Sequence, residues 1–220
     1  FYPERVDVKD KRMHKVERNM SFSRYLGANG AIPDVPLTVP GEINIYIDNF
    51  FSEERISGPI FAVNPFSSKG SMFKRWDIRK YAELIKKIRS AYSAQILILW
   101  GPGEGEEAKL LRDMSGDGAI LSCATSVPQL FALLSRVDMY IGGDTGVMHL
   151  ASFARKPVVS IFGPTDYMVN GPYASPGSII RRDLECNPCK DKHCRDRKCL
   201  DGITVEEVFE AVDKLYKVRC

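Results

Sequence analysis

Gly142, Gly143, Asp144, Thr145, Gly146 and His149 stand close together between two apolar segments. Val137 to Ile141 reads as a buried strand, and Val147 to Ala154 as a helix. Glycines at a strand-to-helix turn let the backbone approach a ligand closely. The free N–H groups of a helix start favour an anion there. Thr145 adds a hydroxyl. His149, three residues after Gly146, falls in the first helical turn. It is either a satisfied core histidine or a phosphate donor, neutral or cationic. Asp144 either caps the helix, ties down the loop's own N–H groups, or binds sugar hydroxyls. A nucleotide phosphate is the guest that suits this chemistry.

Four other loops hold usable groups. Pro65 to Trp76 combines Ser67 and Ser68 with three cations, among them Lys74. The serines suit phosphate oxygens and Lys74 suits phosphate charge. The alternative is a solvated loop with Trp76 packed on the next helix. The loop lacks the Gly-Lys-Ser/Thr ending of a Walker A motif. Trp100 to Glu107 is a glycine-rich turn with Glu104 and Glu106 at a helix start. Those acids either bind a ribose diol or complement the helix dipole. Ser122 to Pro128 could present its backbone to an adenine edge, and Phe162 to Asp166 is the turn after the next strand. The chain has no Asp-x-Asp pair. The available anion stabilisers are therefore Lys74, hydroxyls and helix starts, which points to metal-independent handling of a diphosphate.

The elements that must position these loops alternate along the chain. Strands are expected at Ile60 to Asn64, Gln95 to Trp100, Ala119 to Ser122, Asp138 to Ile141, Val158 to Phe162 and Ser178 to Ile180. Helices are expected at Asp77 to Arg89, Glu104 to Met114, Ser126 to Leu134, Gly146 to Ala154 and Thr204 to Tyr216. Thr204 and Glu207 have capping-box spacing. Apolar strands alternating with helices imply an α/β fold with a parallel sheet covered on both faces. Every candidate loop then follows a strand, at the end where such folds bind ligands. Before this region, Met13, Val16, Met20 and Phe22 form a helical stripe ending near Gly27. Pro33, Pro36, Pro40 and Gly41 mark a linker, and a short strand is expected within Gly41 to Phe50.

With 220 residues, the length suits one full domain with part of a second. A net charge of +3 is too small and too spread to demand nucleic acid. The longest apolar run, Ile96 to Trp100, is strand-sized and far short of the roughly 20 residues of a membrane span. There is no secretory signal pattern, and the start at Phe1 reads as that of a fragment. The cysteine usage points to a reducing, cytosolic compartment.

Taken together, the loops resemble glycosyltransferase family 9, the ADP-heptose:lipopolysaccharide heptosyltransferases. The likeness rests on Asp144-Thr145-Gly146 with His149, then Phe162-Gly163-Pro164-Thr165-Asp166. Lys74-Arg75-Trp76, Trp100-Gly101 and Cys186-Asn187-Pro188-Cys189 support it. It runs from about residue 59 to 218, and His14 to Arg18 with Leu26-Gly27 resembles the last helix of the family's N-terminal domain. The resemblance implies a GT-B arrangement of two Rossmann-like domains. Residues 1–40 would end the acceptor domain and its linker, and residues 41–220 would form the nucleotide-sugar domain. Ser67, Ser68 and Lys74 would contact the diphosphate. Glu104 or Glu106 would bind ribose, and Thr125 would lie where backbone groups meet adenine. Asp144, Thr145, Gly146 and His149 would hold the diphosphate and sugar, with Lys74 and Asp144 stabilising the leaving group. The reaction would be a single inverting displacement needing no cofactor. The acceptor would be a lipid-linked saccharide at the cytoplasmic face of the bacterial inner membrane. The family's general base is an aspartate near the start of the N-terminal domain. This chain begins too late to contain it, so the chain alone should bind donor and catalyse nothing.

Two rivals remain: a GT-B enzyme using a UDP or GDP donor, and a non-enzymatic module holding metal or nucleic acid. The second rests on Cys186, Cys189, Cys194 and Cys199, whose spacing suits a zinc or iron–sulfur site with His193 as a further ligand. Lys190, Lys192, Arg195, Arg197 and Lys198 surround them and should lower the thiol pKa values. The alternative is a surface loop of free thiols. The module reading leaves the sheet loops unexplained.

Overall fold

The computed structural model describes residues 6–32, 37–173, 175–189 and 191–218. Pro33, Pro36, Lys190 and Cys220 lie outside them. In chain order the elements are α1 (Lys15–Tyr25), α2 (Gly41–Glu53), β1 (Ile60–Asn64), α3 (Ile78–Tyr92), β2 (Gln95–Ile98), α4 (Gly105–Ser115), β3 (Ala119–Leu121), α5 (Val127–Leu134), β4 (Met139–Gly143), α6 (Gly146–Phe153), β5 (Val158–Phe162), α7 (Tyr167–Asn170), β6 (Gly177–Arg181), α8 (Lys198–Asp201) and α9 (Val205–Lys217). A 3-10 turn at Lys69–Lys74 lies between β1 and α3.

The sheet order is β3-β2-β1-β4-β5-β6, and every neighbouring pair is parallel. Alternation along each central strand divides the core in two. Phe61 and Val63 of β1 join the cluster under α3, α4 and α9, while Ile60 and Ala62 join the one under α2, α5 and α6. Both faces of β1 are dry, which is why it reads as a continuous apolar run.

The strand expected within Gly41 to Phe50 is a helix. Ile43, Ile45 and Ile47 alternate, which suits a strand, but Ile43, Ile47 and Phe50 also repeat at helical spacing. In α2 the second period wins. Ile47 and Phe50 are buried, Ile43 packs against their cluster, and Ile45 is left 61% exposed. The structure adds two short helices, α7 and α8, that periodicity does not reveal. One turn apiece is too short to show a period.

α1 buries no residue. The N-terminal segment is held by polar contacts to the far edge of the sheet. Arg12 grips Asp166 through two bonds of 2.8 and 3.0 Å, His14 Nε2 lies 3.0 Å from the Gly171 carbonyl oxygen, and the His14 ring stacks on Tyr173. The element that closes the fold, α9, has the expected capping box between Thr204 and Glu207. Arg182, just after β6, adds its guanidinium to Glu207.

Two outcomes follow from this packing. Arg182 beside Glu207 holds the carboxyl at about 2, below its usual 4.5. A depressed folded pKa adds stability above the unfolded value, and that contribution is lost as pH falls from about 4.5 toward 2. The pair is about a third exposed, so solvent screening keeps the effect modest. The thermal midpoint of the native chain should exceed that of Glu207→Gln at neutral pH, and the gap should shrink below pH of about 4. An equal gap at both pH values would refute this. At Gly142, a Cβ would fall 2.7 Å from the Asn64 carbonyl oxygen and closer still to Tyr140 Oη. Gly142→Ala should therefore destabilise by about 1–3 kcal/mol in denaturant unfolding, as overpacking does elsewhere.

Candidate functional site

A pocket of about 580 Å³ opens at the C-terminal ends of β1 and β4. β1 leads on through β2 to β3, and β4 leads the opposite way through β5 to β6. The crevice where the strand order reverses is where open α/β sheets bind ligands. Asn64 ends β1, and Gly143-Asp144-Thr145 leads from β4 into α6. All but Gly143 line the pocket.

Thr145 is the N-cap of α6 and accepts the Met148 N–H. Its hydroxyl also accepts from Asn64 Nδ2 at 3.3 Å, and Asn64 Nδ2 lies 3.3 Å from Tyr140 Oη. Tyr140 is fully buried, and burial pushes its hydroxyl up to about 12, so it stays protonated. This triad fixes the start of α6. The N–H groups of Gly146 and Val147, in the helix's first turn, have no intrahelical acceptor and stand at the pocket wall. Asp144 does not cap the helix, because Thr145 does. Lys74 Nζ donates to the Asp144 carbonyl oxygen at 2.8 Å and to Oδ2 at 3.1 Å. The ion pair is mostly shielded from solvent. A cation, a capped helix start and a tethered carboxylate thus meet at one point.

Across the pocket, Glu104 Oε2 accepts the Gly101 N–H at 2.8 Å and Glu104 Oε1 accepts from Arg75 Nη2 at 3.3 Å. Glu106 does not line the pocket. α4 begins at Gly105, so Glu106 sits on its outer face, paired with Lys109 and 90% exposed in its side chain. Of the two acids, only Glu104 is in reach of a ligand. Ser67 lines the pocket with Ser68, but its hydroxyl donates to the Ser71 carbonyl and accepts from Arg75 Nε. Ser67 therefore presents lone pairs and backbone rather than a free proton. Trp76 packs as a core residue, with its indole N–H on the Ile203 carbonyl.

Thr125 lines the third side. Its loop is pinned from two directions: Trp100 Nε1 donates to the Ser122 carbonyl at 2.8 Å, and Tyr46 Oη to the Ala124 carbonyl at 2.9 Å. Val127, Leu130 and Leu150 add apolar surface, which suits the face of a flat aromatic ring.

His149 is not among the pocket's lining residues. It faces a neighbouring groove of about 920 Å³ toward His14 and Lys15 of the N-terminal segment. Gly146 and Leu150 line both hollows, so the two meet at the start of α6. Desolvation lowers the His149 imidazole from its usual range, and Asp144 pulls the other way.

Cys186, Cys189, Cys194 and Cys199 line a common hollow of about 650 Å³, yet among the described residues no group of three or more His, Cys, Asp or Glu is set to hold an ion. Cys194 Sγ instead donates to the Asp196 carbonyl, and Cys189 Sγ accepts the Asp191 N–H. Burial raises the Cys199 thiol, and Cys186 and Cys194 add to the rise. Arg197 pulls the thiol down but is outweighed. The loop's visible task is packing. Cys189 N–H donates to the Pro164 carbonyl at 2.7 Å, and Arg197 donates to the Arg75 carbonyl. Thr165 and Asp166, in the adjacent turn, do not line the pocket; Asp166 holds Arg12 instead.

Asn64, Tyr140, Arg75 and Tyr46 escape a reading of the sequence as site residues. Asn64 has a signal, as a lone polar residue ending an apolar strand. The others act across 29 to 78 residues of chain, where spacing carries no information.

Comparisons with known proteins agree with this geometry. The family model described as "Glycosyltransferase family 9 (heptosyltransferase)" matches residues 1–200. Lipooligosaccharide heptosyltransferase 2 of Campylobacter jejuni is 27% identical over 71% of this chain and 51% of its own length. Lipopolysaccharide heptosyltransferase 3 of Escherichia coli is 24% identical over 92% of this chain and 59% of its own. The chain spans about half the length of the curated relatives it matches. Among solved structures, a glycosyl transferase family 9 protein from Veillonella parvula superposes with a TM-score of 0.82 at 18% identity, covering 97% of this chain and 62% of that one. The E. coli heptosyltransferase WaaC with ADP gives 0.65 at 20% identity, covering 96% and 60%. The fold is the Rossmann-like unit of GT-B-type heptosyltransferases, and the chain belongs to glycosyltransferase family 9.

Proposed function

We propose that the chain forms the donor half of a heptosyltransferase, which moves a heptose from ADP-heptose to a saccharide of the lipopolysaccharide core. The carrying observation is the convergence of Lys74, Asp144 and the capped start of α6 at the sheet's switch point, with Glu104 opposite. In this reading the diphosphate lies against the start of α6 and Lys74. The ribose faces Glu104, and adenine enters the Thr125 loop. The sugar extends past Gly146 toward His149.

Transfer is an inverting displacement. As the bond from sugar to diphosphate breaks, negative charge grows on the leaving oxygen. Lys74 and the Gly146 and Val147 N–H groups are already aimed there, so little reorganisation is needed. The pocket's two carboxylates are both engaged, Asp144 by Lys74 and Glu104 by Arg75 and Gly101. They are suited to holding donor rather than to deprotonating an acceptor. Charge is supplied by a side chain and a helix start, so no metal cofactor is needed. Residues 1–40 end the acceptor domain, and residues 41–220 hold the donor. Among the described residues no helix is long and apolar enough to cross a membrane. We place the enzyme in the cytoplasm, meeting its lipid-linked acceptor at the inner membrane surface.

Calorimetry with ADP, UDP and GDP tests the reading. ADP should bind most tightly, and a clear preference for UDP would overturn it. Lys74→Ala should weaken ADP binding by about 10- to 100-fold, the loss expected for a charge-assisted contact. Lys74→Arg, which keeps the charge, should retain more affinity than Lys74→Ala. Equal affinity of all three proteins would remove Lys74 from the diphosphate site.

A further inference from the structure

Arg75 has no ligand-facing role in the scheme above, yet it is the most heavily engaged side chain beside the pocket. Its Nε donates to Ser67 Oγ at 3.2 Å, and its Nη2 to the Ser67 carbonyl. Nη1 donates to Glu107 Oε2 at 2.7 Å, and Nη2 also reaches Glu104 Oε1 at 3.3 Å. The guanidinium lies 5.6 Å from the centre of the Phe66 ring, and only 15% of the side chain is exposed. Arg75 itself does not line the pocket, whereas Ser67, Glu104 and Phe66 do.

We infer that Arg75 is a positioning residue that sets the Glu104 carboxylate for a ribose diol while cancelling its charge beside a diphosphate. The inference rests on the donor-site reading of the pocket. Two physical arguments support it. A carboxylate has about four lone-pair directions. Arg75 takes one on Oε1 and the Gly101 N–H takes one on Oε2. That fixes the carboxylate plane and leaves one direction on each oxygen for two adjacent hydroxyls. Second, Glu104 places a negative charge in the lining of a site meant for an anion, and Glu107, outside that lining, adds another on the same guanidinium. A guanidinium between them offsets that repulsion, and its fork geometry holds both acids at once. Lysine supplies the charge but not the fork.

The test is calorimetry of the 220-residue chain with ADP and with 2′,3′-dideoxy-ADP, which lacks both ribose hydroxyls. The native chain should favour ADP by about tenfold or more, as expected for hydrogen bonds to a charged acceptor. Glu104→Gln should cut that preference sharply. Arg75→Met should lose it to about the same degree and also weaken both nucleotides, because Glu104 then lines the site with no cation beside it. Arg75→Lys should restore the shared affinity and not the preference. Combining Arg75→Lys with Glu104→Gln should cost no more preference than Glu104→Gln alone, the non-additivity of one unit. A merely structural role would lower affinity for both nucleotides equally and leave their ratio intact. An Arg75→Lys variant that keeps the native ratio would overturn the inference, and it does not depend on Arg75→Met folding. A native chain that binds ADP without preferring it to the dideoxy form would overturn the inference and leave the donor reading standing. A native chain that binds no ADP would overturn both.

Discussion

β1 and β4 lie side by side and parallel, with Asn64 opposite Gly142. That pairing brings a chain end from each half of the sheet to the same edge, and the outward paths of the two halves leave a crevice between them. The close fit is chemical as well as topological. Gly142 leaves room for Tyr140 Oη and the Asn64 carbonyl, so the buried hydroxyl can sit under the turn. Asn64 then spans from Tyr140 to Thr145, and Thr145 caps α6. The helix start is aimed from beneath by a polar triad, of which Asn64 and Tyr140 are buried. A cap of this kind contributes about 1 kcal/mol to a helix. Its larger effect here is to set direction.

Charge around the pocket is arranged in pairs. Lys74 holds Asp144 on one wall, and Arg75 holds Glu104 and Glu107 on the other. None of the three acids is left unpaired, and neither cation is left to wander. When an anion arrives, Lys74 already stands at the rim and needs only to share its protons. Partly buried pairs of this sort add little net stability. They matter because they place charge before the ligand comes.

The remaining loops act as scaffolding at a distance. Arg197 of the cysteine loop donates to the backbone of Arg75, and the Cys189 N–H donates to Pro164 in the turn after β5. Leu200 of α8 fills the space a side chain at Gly163 would need. The cysteine-rich segment thus braces the loop that holds Lys74 and Arg75. Beyond the same turn, Arg12, His14 and Glu17 attach the N-terminal segment through Asp166, Gly171 and Tyr173. That attachment is polar and carries no core. Such contacts open at lower free energy than the strands do.

Much of this protein was legible in its sequence, and the reasons are local. The apolar runs of β1, β2, β4 and β5, the amphipathic α3 and α9, and the Thr204–Glu207 capping box each declare themselves over a few residues. The glycine-rich turn before α6 does too, because a strand followed by glycines and a helix is itself a ligand site in outline. The family motifs inherit that legibility. Where two periods coincided, as in Ile43, Ile45 and Ile47, local pattern could not choose, and packing against α5 decided for a helix. The same limit governs the site. Glu104 and Glu106 differ by two positions, and only the start of α4 at Gly105 turns one inward and the other to solvent. His149 lies one helical turn from Gly146 yet faces a different hollow, because α1 stands on that side. The cysteines have metal-like spacing, but among the described residues no three of them are set to hold an ion, and spacing alone does not say how sulfur atoms converge. Asn64, Arg75 and Tyr46 act on partners far away in sequence. Residue types, periods and turns are properties of neighbours along the chain, so the sequence determined them. Which side chains share a pocket depends on strand order and helix rotation, and these exist only once the sheet is assembled.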